Sequence, residues 1–474
     1  MTHPTLCAFG ALSILLALGS QSAAQDAAPK PAAAKPAAGS RPEVKAERKR
    51  PTDGDALRKA AFAPARVRAR RQALLKLLPK GAVAVVVNTS QKSEIFPFRP
   101  SPSFFYLSGQ EGAGLTLLVS GDEDVLFAPP KDRRWERWNG SRLSVGSLRA
   151  RSAGFRSVVP LHSRAKRILA ALKTHGGPLY LAGCKLADLG LKGEVKARSL
   201  YSALARLRQV KDPAELALMR RAIGITTSAL HEAMASLRAG QYEYEVQAVI
   251  EYLFTRYGAK RPAFTSIVGS GPNSCVLHYN ASRRRIGPGE LVVLDVGAEF
   301  HGYAADVTRT IPSSGRYSKR QRQIYEIVLA AQRAGIAAIK PGATLREVHR
   351  AARGVIVKAG YGKYFLHSTS HWLGLDVHDV GLRVGFKPGM VLTVEPGIYL
   401  PAEGIGVRIE DDVLVTREGH EVLSAAVPRE PDAIEALMRR RGVGKRAVTP
   451  LPKPKAPKAT PATPKSPRRH FFLR

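Results

Sequence analysis

Between residues 291 and 415 the chain twice sets two acids at equal distances from a turn signal, and few folds can use that arrangement. Residues 291–296 (LVVLDV) are apolar and β-branched, residues 297–302 supply a turn, and residues 305–311 return as ADVTRTI. A hairpin turning between Phe300 and His301 sets Asp295 opposite Asp306. Residues 391–395 (VLTVE) and 406–415 (GVRIEDDVLV) flank a second turn at residues 401–404, whose midpoint sets Glu395 opposite Glu410. Cross-strand neighbours have Cβ atoms about 5 Å apart, close enough for each pair to share a ligand. Buried acids without a partner are costly, so such positions call for a cation. His371 lies between the two hairpins, in HSTSHWLGLDVHDVG. Four carboxylates and one imidazole form an oxygen-rich set that suits a pair of hard or borderline divalent ions. Two such ions side by side lower the pKa of a bridging water and polarise a carbonyl together, which points to hydrolysis.

At 474 residues the chain exceeds one ordinary core, so two domains plus tails are expected. The formal net charge of +36 invites a nucleic-acid reading, but no basic–aromatic interleaving, zinc-finger spacing or RNA-binding signature accompanies it. Much of the excess lies near the ends, and weak adhesion to polyanions or to a cell envelope through basic tails is the expectation, with no specific nucleic-acid partner. Residues 6–18 (LCAFGALSILLAL) have the length of a signal-peptide core, followed by Ser22-Ala23-Ala24, so residues 1–24 read as an export signal. Export places the chain in a periplasm or outside the cell. The leader lacks Lys and Arg before its apolar run, which keeps an uncleaved membrane anchor as the alternative. Residues 25–55 are Ala/Pro/Lys-rich and read as a disordered linker, and residues 448–474 as a basic disordered tail. Cleavage leaves Cys184 and Cys275, whose pairing is open at this point.

The folded part divides near residues 208–213 (RQVKDP), giving expected domains over 56–207 and 208–447. In the first, residues 66–78 read as a helix and residues 82–87, 115–119 and 125–128 as short buried strands. In the second, Asp212-Pro213 opens a long helix over 214–237, with further helices over 242–257, 319–339 and 345–360. The fold class expected is α/β (α+β), an α/β amino-terminal domain followed by a catalytic domain with a curved antiparallel sheet.

These stretches carry a resemblance. Residues 208–428 resemble the pita-bread metallopeptidases, closest to aminopeptidase P and prolidase, with all five ligand positions in order within matching context. PFRPSPSFFYLSG (97–109) and RWERWNGSRLSVG (134–146) resemble the amino-terminal domain of the same enzymes. The resemblance implies that Asp295 chelates one ion alone, Asp306 and Glu410 bridge both, and His371 and Glu395 complete the other. It implies manganese first, with cobalt, zinc or iron as rivals, and a metal-bridged hydroxide as the nucleophile. Glu395 moves a proton to the leaving nitrogen on this reading. His278 and His378 match non-ligand histidines that contact substrate and transition state. His367 matches a pocket position, and Arg408 an arginine supporting the acidic ligands. His301 reads as an exposed loop histidine, Trp372 as packing, and Tyr399 as either a pocket residue or an ordinary strand aromatic.

The substrate implied is a peptide with proline second, cut before that proline. Aminopeptidase P takes longer chains and prolidase the dipeptide, and HWLGLDVHDVG favours the first. A dimer or tetramer is expected from the resemblance. A pita-bread module that has lost catalysis and only binds is the rival of another class, disfavoured by the intact ligand set.

Overall fold

Alternation decides the amino-terminal half. In the computed structural model, which describes residues 52–89, 98–121, 123–147, 154–191 and 195–443, strand β1 (Val83–Val87) is the run VAVVV. Ala84 and Val86 pack on one side with Leu74 and Leu117, while Val83 and Val85 pack on the other with Ile168 and Leu179. Successive side chains of a strand point to opposite faces, so a continuous apolar run demands cover on both. The helices Pro64–Lys76 and Arg164–His175 supply it.

Around β1 the sheet adds β2 (Thr116–Ser120), β3 (Glu123–Ala128), β4 (Ser157–Pro160), β5 (Leu179–Ala182) and β6 (Ala197–Ser199), in the order β4-β3-β2-β1-β5-β6. The β1–β2 and β2–β3 pairs are antiparallel and the other three parallel. Arg71, fully buried, ties the first covering helix to the sheet by donating to Asp124 Oδ2 at 2.6 Å (Nη2) and 2.9 Å (Nε) and to Leu107 O at 2.9 Å.

The second half hangs on helix Pro213–Ser236. Asp212 caps it, accepting from the amides of Ala214 (2.8 Å) and Glu215 (3.0 Å), and the Glu215 side chain returns a bond to the Asp212 amide. Such a cap stabilises a helix by about 1 kcal/mol. Helices Glu243–Arg256, Lys319–Ala337 and Leu345–Lys358 follow where the periodicity predicts them.

Short antiparallel ladders lie between them: β8 (Ile267–Ser270), β9 (Leu291–Val296) and β12 (Val307–Pro312) in one; β7 (Arg261–Pro262), β10 (Ala298–Phe300) and β11 (Tyr303–Ala304) in another. β13 (Val391–Val394), β16 (Asp411–Val415) and β17 (His420–Val422) form a third, and β14 (Gly397–Leu400) with β15 (Ile405–Arg408) a fourth.

The first hairpin departs from expectation. Its turn is His301-Gly302, both with positive φ (47° and 88°), as a type I′ turn requires. Phe300 pairs with Tyr303, and Thr308, not Asp306, stands opposite Asp295. Shifting the turn by one residue moves the partner by two, which keeps Asp306 on the same face. The second hairpin has the expected register: Gly397 faces Arg408 and Val394 faces Asp411, so the position opposite Glu395 is Glu410.

His301 is half-buried against Phe300, beside Arg99, Glu111 and Lys260, and is not the exposed loop residue expected. Trp372 is buried edge-on against Phe386, as packing. Cys184 and Cys275 are both free thiols. Helix Thr52–Ala61 begins inside the stretch read as linker. The export signal and the basic tail lie outside the described residues, among which no helix is long and apolar enough to cross a membrane.

Everything described belongs to one compact unit, and charged networks cross its middle. Arg70, from the first helical layer, reaches Asp212 (3.2 Å) and Glu215 (3.4 Å), while Tyr303 donates to Glu215 at 2.7 Å.

Candidate active site

Both hairpins deliver their acids where the ladders break. Asp306 sits between β11 and β12, Glu395 between β13 and β14, and Glu410 between β15 and β16; Asp295 is the one regular strand residue of the four. The hairpins are stitched to each other. The Glu410 amide donates to Thr308 O (3.1 Å), Thr308 Oγ1 donates to Glu410 Oε2 (2.6 Å), and the Arg408 amide donates to Thr310 Oγ1 (3.0 Å). The Asp306 amide donates to Asp412 Oδ2 at 3.2 Å.

His371 enters on the extended segment before β13, its amide donating to Thr393 Oγ1 at 3.2 Å. Its Nδ1 lies 3.2 Å from Trp372 O, which assigns the ring proton to Nδ1. Nε2 then points a lone pair at Asp306 Oδ2 (3.4 Å) and Glu395 Oε1 (3.5 Å). Burial, then the neighbouring His378, pushes the His371 pKa down to about 4, so the ring is neutral near pH 7. A lone pair facing two carboxylates is repulsive unless a cation or protons lie between them.

The acids tell the same story. One donor atom each from Asp306, His371 and Glu410 lie within 4.8 Å of one another. Burial, then the neighbouring acids, holds the Asp306 and Glu410 carboxyls well above the ordinary range, and burial pushes Glu395 up to about 8. Asp295 Oδ2 accepts from Arg408 Nη2 at 2.6 Å, while its buried Oδ1 has no partner among the described residues. An orphaned carboxylate oxygen, an outward-facing imidazole nitrogen and three acids that repel one another fit a site built for cations.

All nine residues singled out in the sequence line one cavity of about 610 Å³: Asp295, Asp306, His371, Glu395 and Glu410, with His278, His367, His378 and Arg408. His278 and His378 project from loops and are exposed. The His378 ring stands edge-on to His371 at 4.4 Å. His367 donates from Nδ1 to Ser368 O (2.9 Å) and accepts at Nε2 from the Tyr399 hydroxyl (2.8 Å), which in turn accepts from Arg408 Nη1 (2.9 Å). Burial and then the Arg408 charge bring the His367 pKa down to about 4. Tyr399 is therefore neither a pocket wall nor an idle strand aromatic, but the link between His367 and Arg408.

Sequence reasoning passed over several supports. Thr393 approaches Glu395 Oε1 at 3.4 Å, and His349 Nδ1 meets Thr369 Oγ1 at 2.9 Å. Glu243, fully buried, accepts from the amide and hydroxyl of Ser270 (both 2.8 Å), Asn273 Nδ2 (3.1 Å), the Tyr279 hydroxyl (2.8 Å) and the Arg284 amide (2.9 Å). It thereby gathers the loop that carries His278. The apolar wall of Phe264, Ile267, Leu277 and Val377 was likewise unmarked. A strand pattern around Ile267 was the one available signal for it.

Residues 217–417 match metallopeptidase family M24, and residues 67–184 match the aminopeptidase P amino-terminal domain. The Xaa-Pro aminopeptidase of Escherichia coli (strain K12) is 35% identical over 426 residues, covering 78% of this chain and 96% of that one. The Xaa-Pro dipeptidase of Pyrococcus furiosus is 35% identical over 337 residues, covering 70% and 92%. The solved structure of proline aminopeptidase P II from Yersinia pestis superposes with a TM-score of 0.73 at 32% identity, covering 79% of this chain and 99% of that one. With both halves matched, and matched along nearly the whole length of these relatives, the chain belongs to metallopeptidase family M24, as an enzyme of the two-domain aminopeptidase P type.

Proposed function

We propose that the chain removes the N-terminal residue from peptides whose second residue is proline, using two divalent ions held by Asp295, Asp306, His371, Glu395 and Glu410. The observation that carries this reading is the meeting of those five residues with three further histidines and Arg408 around one cavity. The name and near-complete coverage of the Escherichia coli relative support the substrate class. When bound, manganese, or cobalt, zinc or iron in its place, supplies an activated water and polarises the scissile carbonyl.

The chain's own residues do the rest. The nitrogen of the bond before proline offers no N–H to the pocket and, like any amide nitrogen, must gain a proton as the C–N bond breaks. Glu395, lining the cavity beside the other ligands, takes the proton released by the attacking water and passes it to that nitrogen. His278 and His378 line the same cavity, their ring nitrogens making no hydrogen bond among the described residues, and hold the substrate backbone. Phe264, Ile267, Leu277 and Val377 offer apolar surface to the pyrrolidine ring and exclude water from it. Arg408 orients Asp295, and is itself braced by Tyr399.

A second reading, dipeptide cleavage, is supported by the match to the Pyrococcus furiosus dipeptidase. One experiment separates them. Protein lacking residues 1–24 is made metal-free, given manganese, and offered Ala-Pro-Ala and Ala-Pro separately, with products identified by mass spectrometry and Asp306→Asn as the control. Alanine and Pro-Ala from the tripeptide, lost in the control, are expected. Cleavage of the dipeptide alone makes the chain a prolidase, and cleavage of neither with any of the four metals moves a non-catalytic binding role to the front. The same proposal includes export, supported by the apolar leader, and assembly as a dimer or tetramer. A protein retained in the cytosol with Met1 in place would end the export reading.

A further inference from the structure

We propose that Arg99, from the amino-terminal domain, positions His378 by pinning the backbone that carries it, so that this domain takes part in the reaction within its own chain. The inference rests on the peptidase reading of the pocket given above.

His378 needs such help. Its ring is exposed and makes no hydrogen bond among the described residues, so its place is set by the main chain of residues 374–380. That stretch holds itself only loosely, through the Asp379 amide on Trp372 O (2.9 Å) and the Gly374 amide on Asp376 O (3.1 Å). The Val380 amide also donates to Asp379 Oδ1 (2.9 Å) and the Ala304 amide to Gly374 O (2.8 Å), and cations outside the stretch add further restraint. Arg99 spends all three guanidinium nitrogens here. Nη1 donates to Asp376 Oδ1 (2.9 Å), Nη2 to Leu375 O (2.7 Å) and Nε to Glu299 Oε2 (2.8 Å). Glu299 belongs to β10 and is held from the other side by Arg261 at 3.1 Å. One side chain thus fastens the His378 loop to the hairpin that delivers Asp295 and Asp306. The planar fork of arginine suits such a three-way clasp, and lysine cannot reproduce it.

A second layer lies beneath. Arg208 bonds both Asp379 and Asp376 and donates to Ser103 Oγ at 3.0 Å, and Lys211 Nζ lies 3.8 Å from Asp379 Oδ2. Asp379, Arg208 and Lys211 are buried, so removing any of them strands a buried charge and endangers the fold. Arg99 and Asp376 are each about one-third exposed, with side chains at 29% and 33%. Their loss therefore releases the loop without emptying the core.

The test is a double-mutant cycle on Ala-Pro-Ala cleavage, with thermal midpoints measured alongside. Arg99→Ala is expected to lower kcat about 10- to 100-fold with little change in KM, because an ångström of misplacement is felt at that scale. In a His378→Ala background the same substitution is expected to cost less than about twofold. Asp376→Asn, which keeps the side-chain volume, is expected to repeat the pattern. Losses that multiply across the cycle, or that appear in KM alone, overturn the proposal.

A readout without substrate keeps it separate from the peptidase reading. In the metal-free protein, Arg99→Ala is expected to raise hydrogen exchange in the segment 374–382 and leave helix Pro213–Ser236 unchanged. Unchanged exchange in the loop, or a rise throughout, overturns the proposal even if no peptide is ever cleaved.

Discussion

His371 and the acids around it carry a prediction about the protein without metal. The carboxyl of Glu395 is pushed from 4.5 up to about 8 by burial, and Asp306 and Glu410 rise for the same reason and by repulsion. An acid raised in the folded state keeps a proton that the unfolded chain has lost. Its contribution to stability is whole below pH 4.5 and is lost as pH climbs toward 8. His367 and His371 act in the other direction. Burial depresses both from 6.5 to about 4, so stability is lost as pH falls through that interval. Between pH 6.5 and pH 8 only the acids act. The thermal midpoint of metal-free protein is therefore expected to fall across that window, and manganese to raise it more at pH 8 than at 6.5, since ligands bind deprotonated. Calorimetry on chelated and reloaded samples checks it; a flat profile with no metal response would remove the case for a cation site. At this scale the sequence announced the groups that carry charge or lone pairs into the cavity. It left Tyr399 between a pocket residue and an ordinary strand aromatic, and was silent on Thr308, Thr393 and Glu243, which are ordinary polar residues until the fold sets them against Glu410, Glu395 and the His278 loop.

The two hairpins show why one register was legible and the other not. The second turn is announced by Pro401 and Gly404, which bracket it, and its midpoint places every pair from Leu400–Ile405 to Val391–Leu414. The first contains no such bracket. A histidine there takes a left-handed conformation uncommon outside glycine, which histidine adopts more often than most residues but far less often than glycine, and composition does not announce it. Because a strand repeats every two residues, the error left both aspartates on one face, and both line the same cavity. The same turn yields a test. Gly302 has φ 88°, and a Cβ there would lie 3.0 Å from the Phe105 ring. Gly302→Ala is expected to destabilise by about 1–3 kcal/mol, read as a lowered midpoint in urea. Full stability would mean that the turn relaxes freely and does not set the register. Gly297 is more constrained still. A Cβ there would overlap Ala305 O, so only glycine lets the chain pass between β9 and β10.

Across the whole molecule, the amino-terminal sheet and the catalytic ladders share Arg70, Arg99 and Arg208 as common property. The two halves are therefore expected to unfold together. Trp372 is buried in the catalytic half, while Trp135 and Trp138 are 38% and 83% exposed in the other. Fluorescence thus reports mainly on the second half, whereas far-UV circular dichroism reports on both. Coincident urea transitions by the two signals are expected, and separated midpoints would show two independently folding domains. The domain order was readable from composition and motif, but this shared wiring was not, because each arginine is one of many in a chain with 74 Lys and Arg residues. The bonds between the hairpins bear on how such a chain can be recombined. Thr308 is paired with Glu410 and Thr310 with Arg408, across about a hundred residues of sequence. A crossover anywhere between β12 and β13 would join a hairpin from one parent to a hairpin from another, and each parent's threonines would meet strangers. The smallest piece that can be grafted into a new scaffold, or swapped between homologues, is the interlocked pair of hairpins, with the intervening helices carried along as baggage.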